Sequence, residues 1–243
     1  MQQSIFEILS NEALTDSVYK MVLGGDTSAI TAPGQFVNIQ LTGKFLRRPI
    51  SVCDCADGKL TIIYKVVGKG TEQLSRMTHG RLDILTGLGN GYDLATAGDC
   101  PVLVGGGVGV PPMYLLAKQL LAMGKKVSVI LGFNTASEIF YEDAFRALGC
   151  DVTVTTVDGS RGVKGFVTDA LAGMDYSYFY ACGPEPMLKA LHRASRTSGQ
   201  MSFEERMGCG FGACMGCSCK TLTGYKLICK DGPVMRKEEI LWD

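Results

Sequence analysis

Five of the ten cysteines fall in the last fifth of the 243-residue chain, in ERMGCGFGACMGCSCKTLTGYKLICKDGPV. They are Cys209, Cys214, Cys217, Cys219 and Cys229. Thiols gathered among glycines can form a zinc site, a disulfide staple, a redox pair or an iron–sulfur cluster. Cys209-x4-Cys214-x2-Cys217 with a distant Cys229 is a spacing that [2Fe-2S] clusters use. Gly208, Gly210, Gly212 and Gly216 let such a loop wrap inorganic sulfur with its N–H groups inward. Zinc is the main alternative, but structural zinc usually draws two close cysteine pairs and only one is present. A thioredoxin-like use of Cys214 and Cys217 lacks its strand–helix setting. Four thiolates complete the site, so one of five is surplus. Cys219 is expected to be the surplus thiol, because its chelation beside Cys217 would crowd both onto one iron through a very short loop.

A second kind of chemistry is suggested by VLVGGGVGVPP. Gly105, Gly106, Gly107 and Gly109 stand between an apolar run and a helical pattern, where they allow a tight turn and close approach of a diphosphate. An ordinary strand–helix turn is the bland reading. After the next apolar run no Arg or Lys occurs from Leu131 to Phe145, so a 2′-phosphate has no evident partner, and NAD is expected over NADP. In ACGPEPML, Cys182 is placed at a strand end, with Gly183 and Pro184 turning into a helix. In the first half, Arg48 of RRPIS offers a guanidinium fork for a phosphate, and Gly68, Gly70 and Thr71 open a helix as another anion site. Two phosphate-ready sites would suit two nucleotides.

These residues need a scaffold. SVYKMVLGG, GQFVNIQLT, RRPISVCDC, KLTIIYKVV and RLDILTGLG are short β-branched or aromatic runs divided by turn residues, as in a small antiparallel barrel. TEQLSRMTH reads as a helix from Thr71. From Gly98-Asp99 onward, apolar runs alternate with helical patterns, which implies a doubly wound parallel sheet. The expected division is a barrel over 1–98, an α/β domain over 99–198 and a cysteine-rich segment over 199–243. Cys53 and Cys55 alternate in a strand and should share one face; both, with Cys100 and Cys150, are expected to be buried. His79 and His192 read as helical residues without a ligand or catalytic role.

Lys plus Arg and Asp plus Glu both number 24, which argues against a nucleic-acid or membrane-surface partner. The opening stretch has no basic region before a long apolar one, so no signal peptide is expected. The uncharged run from Cys100 to Ala117 is nearly long enough to span a membrane, but its glycines and Pro111-Pro112 would interrupt a spanning helix. Ten cysteines in a chain of this length point away from a disulfide framework. A cytoplasmic protein is expected.

In chain order, APGQFVNI, RRPIS, IIYKVVGKGT, GGGVGVPPM and CGPEPM resemble the ferredoxin–NADP reductase superfamily. Residues 48–51 match its Arg-x-aromatic-Ser flavin motif, with Ile50 at the usual tyrosine position. TGLGNGYD departs from the Gly-Pro-Leu-Gly-Asn-Gly common in relatives. With the cysteine tail included, the chain is similar nearly end to end to the electron-transfer subunits of type B dihydroorotate dehydrogenases.

The resemblance implies an FAD-binding barrel, a nicotinamide-binding domain and a [2Fe-2S] segment. It places FAD at Arg48, Pro49, Ile50, Ser51, Ile63, Tyr64, Lys65, Gly70 and Thr71. NAD would meet Gly105, Gly106, Gly107, Gly109, Cys182, Gly183 and Pro184, and the cluster ligands would be Cys209, Cys214, Cys217 and Cys229. The implied partner is an FMN-containing catalytic subunit that oxidises dihydroorotate in pyrimidine biosynthesis, in a heterotetramer with two copies of each subunit. FAD stands between one-electron and two-electron carriers, and the chain itself shows no orotate site and no catalytic residue. Two alternatives stay open: a reductase subunit of another redox complex, of hydrogenase or sulfide-oxidising type, and a colourless zinc-stabilised nucleotide-binding regulator.

Overall fold

The computed structural model describes residues 1–242. Its first half holds β1 (Gln2–Ala13), β2 (Val18–Gly24), β3 (Phe36–Ile39), β4 (Arg48–Ala56), β5 (Lys59–Lys65), α1 (Lys69–Ser75) and β6 (Arg81–Leu88). The strands close into an antiparallel barrel in the order β1-β2-β5-β4-β3-β6. Phe6, Met21, Leu23, Val37, Ile39, Val52 and Ile62 fill its interior. The sequence reading missed β1. Its apolar residues, Ile5, Phe6, Ile8 and Leu9, do not alternate, yet only Phe6 and Ile8 face inward while Ile5 and Leu9 are exposed. Asn11 on β1 ties α1 to the barrel: its amide donates to the carbonyls of Leu74 and Met77 at 3.0 Å each, and its oxygen accepts from the Tyr64 hydroxyl.

The second half contains β7 (Val102–Gly106), α2 (Pro111–Ala122), β8 (Ser128–Phe133), α3 (Glu142–Leu148), β9 (Asp151–Thr156), β10 (Val163–Lys164), α4 (Val167–Leu171), β11 (Phe179–Cys182) and α5 (Glu185–Ala194). The tail adds β12 (Gly199–Ser202), a hairpin of β13 (Ser218–Thr221) and β14 (Gly224–Leu227), and β15 (Val234–Arg236). The large sheet runs β10-β9-β8-β7-β11-β12-β15, parallel except for the β15 edge. The order reverses beside β7, where doubly wound sheets bind ligands. β12 pairs with β11 and β15 with β12, so this sheet runs past the division expected at 198/199.

The halves share a core. Val18, Cys53 and Ile63 of the barrel pack with Val110, Met113 and Leu116 of the α/β half. Lys118 on α2 pairs with Asp54 on β4 at 2.7 Å. Cys53 and Cys55 do not share a face: an irregularity in the β4–β5 register between Val52 and Asp54 turns Cys53 into this seam and Cys55 toward the barrel cluster. Cys150 is buried, Cys55 half-buried and Cys100 exposed. His79 lies in a bend after α1, which ends at Ser75; His192 is on α5. Among the described residues no helix is long and apolar enough to cross a membrane.

Candidate functional site

The barrel wall is parted along one line. β4 and β5 pair from Ala56–Lys59 as far as Val52–Ile62 and then separate. Beyond that point Arg48–Ser51 pair only with β3, and Ile63–Lys65 only with β2. The two segments expected at the flavin thus form opposite lips of one opening. Arg48, Pro49, Ile50 and Ser51 are all half-buried, the exposure of a strand that covers its core yet still presents a surface. Gly70 lies under the Arg48 guanidinium, so close that a Cβ there would come within 2.2 Å of Arg48 Nε. Thr71 Oγ1 accepts from the Val67 and Gly68 N–H groups and holds that loop in shape. A cation above a helix start fits a diphosphate. Tyr64 is different: its ring is 2% exposed inside the barrel, so its side chain is committed there.

The glycine turn packs against the β5 lip through the Ile63–Val110 region. Its glycines divide by role. A Cβ on Gly105 would strike Val110, on Gly106 the Met187 sulfur, and on Gly109 the Cys182 carbonyl at 2.1 Å. Gly105 and Gly109 are required by packing against main chain, whereas at Gly106 the Met187 side chain would have to shift. Gly107 has φ of +52° with nothing near the missing Cβ, so it is the one that faces open space. Cys182 ends β11 beside Ser202, and burial pushes its thiol up to about 12, so it stays protonated. Gly183 and Pro184 lead from it into α5, and a Cβ on Gly183 would meet Met187.

The tail cysteines associate two by two. The Cys209 N–H donates to Cys214 Sγ at 3.4 Å, and the Ala213 N–H to Cys209 Sγ at 3.2 Å. The Cys229 N–H donates to Cys217 Sγ at 3.4 Å. Gly210 and Gly212 adopt positive φ, +80° and +92°, which lets the loop curl. Burial raises the Cys209 thiol, but hydrogen bonds from the Phe211, Cys214 and Ala213 groups outweigh it and bring it down to about 6. Burial, reinforced by Cys217, pushes Cys229 up to about 12. Two thiol pairs with N–H groups aimed at sulfur match the donor set of a two-iron cluster, in which each iron takes two cysteines. Cys219 is on β13, opposite Lys226, and packs at the edge of the apolar cluster that holds Cys217 and Cys229. The β13–β14 hairpin turns at Leu222 and Thr223, between paired Thr221 and Gly224.

A family model described as the iron-sulfur cluster binding domain of dihydroorotate dehydrogenase B matches residues 204–241. Another, the oxidoreductase NAD-binding domain, matches residues 103–193. The dihydroorotate dehydrogenase B (NAD(+)) electron transfer subunit of Geobacillus sp. (strain WCH70) is 42% identical over 256 residues, 99% of each chain. The chain belongs to this family of electron-transfer subunits. The Bacillus caldolyticus member is 44% identical over 96% of each chain. Among solved structures, an NADH-dependent reduced ferredoxin-NADP oxidoreductase superposes with a TM-score of 0.88 at 32% identity, covering 98% of this chain and 90% of that one. A Neisseria gonorrhoeae ferredoxin NADP+ reductase with bound FAD and NADP shares the fold, with a TM-score of 0.70 at 18% identity over 80% of this chain and 90% of that one. The electron-transfer subunit is therefore an oxidoreductase component with an FAD-type barrel, an NAD-binding domain and an iron–sulfur segment, and it works with a catalytic partner subunit.

Three positions in this subunit escaped the sequence reading. Asn38 on β3 is 1% exposed; its amide donates to the Cys209 carbonyl at 3.2 Å while its side-chain oxygen has no hydrogen-bond partner among the described residues. A lone Asn in an apolar strand was the available signal. Asn90, in the unusual TGLGNGYD turn, donates to the Val234 carbonyl at 2.7 Å and accepts from its N–H, which clamps the tail to the barrel. Arg161 lies beyond the Leu131 to Phe145 stretch and reaches the cavity beside Ala136 only through the fold.

Proposed function

We propose that the chain carries electrons between an FMN-containing dihydroorotate-oxidising subunit and NAD+, in a cytoplasmic assembly with two copies of each subunit. When bound, the [2Fe-2S] cluster supplies one-electron exchange, FAD couples this to two-electron exchange, and NAD+ takes a hydride. One observation carries the reading: β3 lies between the parted barrel wall and the cysteine loop. On one side it pairs with the Arg48–Ser51 lip, and its Asn38 holds the Cys209 carbonyl at 3.2 Å. Phe36 on the same strand packs with Cys217 and Cys229. The opposite lip meets the glycine turn. Flavin in the opening would thus have a neighbour on each side, as its intermediate role requires.

Within this reading Arg48 and the Gly70–Thr71 loop hold the FAD diphosphate, and the half-buried 49–51 strand and the main chain of 63–65 flank its ring. Gly107 leaves room for the dinucleotide diphosphate. Gly105, Gly106 and Gly109 keep the turn tight enough to present it, while Gly183 and Pro184 direct α5 away. The protonated Cys182 offers a neutral wall that does not compete for hydride. Cys209, Cys214, Cys217 and Cys229 ligate the two irons. The catalytic partner supplies the orotate site.

The test uses the purified chain loaded with FAD and iron. Its visible spectrum should show flavin and iron–sulfur absorbance, and it should oxidise NADH with an artificial acceptor but leave dihydroorotate untouched. Sustained dihydroorotate oxidation without a second subunit would overturn the division of labour.

A further inference from the structure

A cavity opens beyond the glycine turn, at the carboxyl ends of β8 and β9. It is lined by Ala136, Ile139, Phe140, Glu142, Asp143 and Arg161, among others. These strands are the next two out from β7 in the sheet. Neighbouring strands are about 4.8 Å apart, so a dinucleotide whose diphosphate sits at Gly107 would extend its adenosine half over this edge. The loops after β8 and β9 are tied together there: the Ala136 N–H donates to Ser160 Oγ at 2.8 Å.

Arg161 is the cation on this rim suited to a 2′-phosphate, but it is already engaged. Its Nε and Nη2 both donate to Glu142 Oε2, at 3.2 and 3.0 Å. The other Glu142 oxygen accepts from Arg146, whose Nη2 also donates to the Val152 carbonyl. The Glu142 side chain is only 12% exposed, so the pair is anchored from below while Arg161 reaches solvent. Glu138 and Asp158 occupy the same two loops, bound to Asn134 and Ser160 respectively. With Asp143, the rim carries four carboxylates against the guanidiniums of Arg146 and Arg161.

We propose that Glu142 sets the coenzyme preference of this subunit: by holding Arg161 in an ion pair, it denies a 2′-phosphate the guanidinium that lines the cavity and leaves the unphosphorylated ribose favoured. This rests on the reading of the glycine turn as the dinucleotide site. A 2′-phosphate would have to break the pair and approach Glu142 itself, whereas a ribose hydroxyl can donate to a carboxylate. Glu142 acts through Arg161 and is a positioning residue.

The experiment compares wild type, Glu142→Gln, Arg161→Ala and the double variant, each loaded with FAD and cluster. Two readouts are taken: the ratio of kcat/KM for NADPH to that for NADH with ferricyanide, and calorimetric binding of adenosine 2′,5′-bisphosphate. A charge-assisted contact released to the phosphate should raise the ratio and the bisphosphate affinity of Glu142→Gln about tenfold or more. Adding Arg161→Ala should cancel both gains, and Arg161→Ala alone should leave the ratio unchanged. A folded Glu142→Gln protein, with wild-type flavin absorbance, that shows neither gain overturns the proposal. So does a fall in the NADPH ratio of Arg161→Ala alone, since Arg161 would then already serve a phosphate. If wild type fails to oxidise NADH at all, the dinucleotide site itself has been misplaced, a failure distinct from a wrong role for Glu142.

Discussion

Asn38 and Cys209 join a barrel strand to the cysteine loop: the Asn38 amide donates to the Cys209 carbonyl at 3.2 Å, from a side chain 1% exposed. The loop is fitted closely around it, since a Cβ on Gly210 would come within 2.3 Å of Asn38 Nδ2. Leaving the Asn38 oxygen buried without a hydrogen-bond partner among the described residues costs about 1–3 kcal/mol, comparable with what burying one leucine contributes. Asn38→Leu should therefore leave the fold and FAD in place while loosening the Cys209 side of the cluster. Iron release to a chelator, followed by the loss of visible absorbance, is expected to quicken about fivefold, the equivalent of one hydrogen bond. Release at the wild-type rate would show that the contact does not hold the loop.

The cysteine pairs lead to a sharper expectation. Cys229→Ala should lose the cluster, because the Cys229 N–H donates to Cys217 Sγ and the two stand together as one thiol pair. Cys219→Ala should keep most of its iron, since that side chain lies on β13 opposite Lys226. Iron and sulfide quantitation with the reduced-state EPR signal decides between them, and the reverse pattern would refute the ligand set while sparing the flavin site.

At the barrel opening, Arg48→Ala should weaken FAD retention about tenfold or more through loss of a charge-assisted contact. Gly70→Ala offers an independent check: it keeps the guanidinium but places a Cβ 2.2 Å from Arg48 Nε, so the side chain must move. Both variants should shed flavin on dilution and keep their iron. Unchanged FAD fluorescence titrations in both would remove Arg48 from the site.

The glycines of the turn should separate fold from ligand. In Gly109→Ala the new Cβ meets the Cys182 carbonyl at 2.1 Å, a clash with main chain that should lower the melting temperature by an overpacking cost of about 1–3 kcal/mol. In Gly107→Ala there is room, and the positive φ costs only about 1 kcal/mol, so the larger effect should be a raised KM for NADH. Equal melting temperatures for the two variants would contradict this division.

Much of the architecture was legible because it rests on local pattern. Strand-and-turn punctuation marked five of the six barrel strands, and the alternation after Gly98 marked the parallel sheet. Cysteine spacing marked the cluster segment, since a short loop around a small inorganic group leaves few spacings that work. β1 was hidden because closure of the barrel, rather than its own periodicity, decides which of Ile5, Phe6, Ile8 and Leu9 are buried. The register shift in β4 likewise overrode simple alternation at Cys53 and Cys55. Which glycines serve packing and which face open space depends on neighbours far along the chain, such as Cys182 opposite Gly109. The Arg161–Glu142 pair and the Asn38–Cys209 contact join residues 19 and 171 positions apart. No window of sequence contains both members with any mark of their pairing; only the packing of strand ends and barrel face brings the charges and donors within bonding distance.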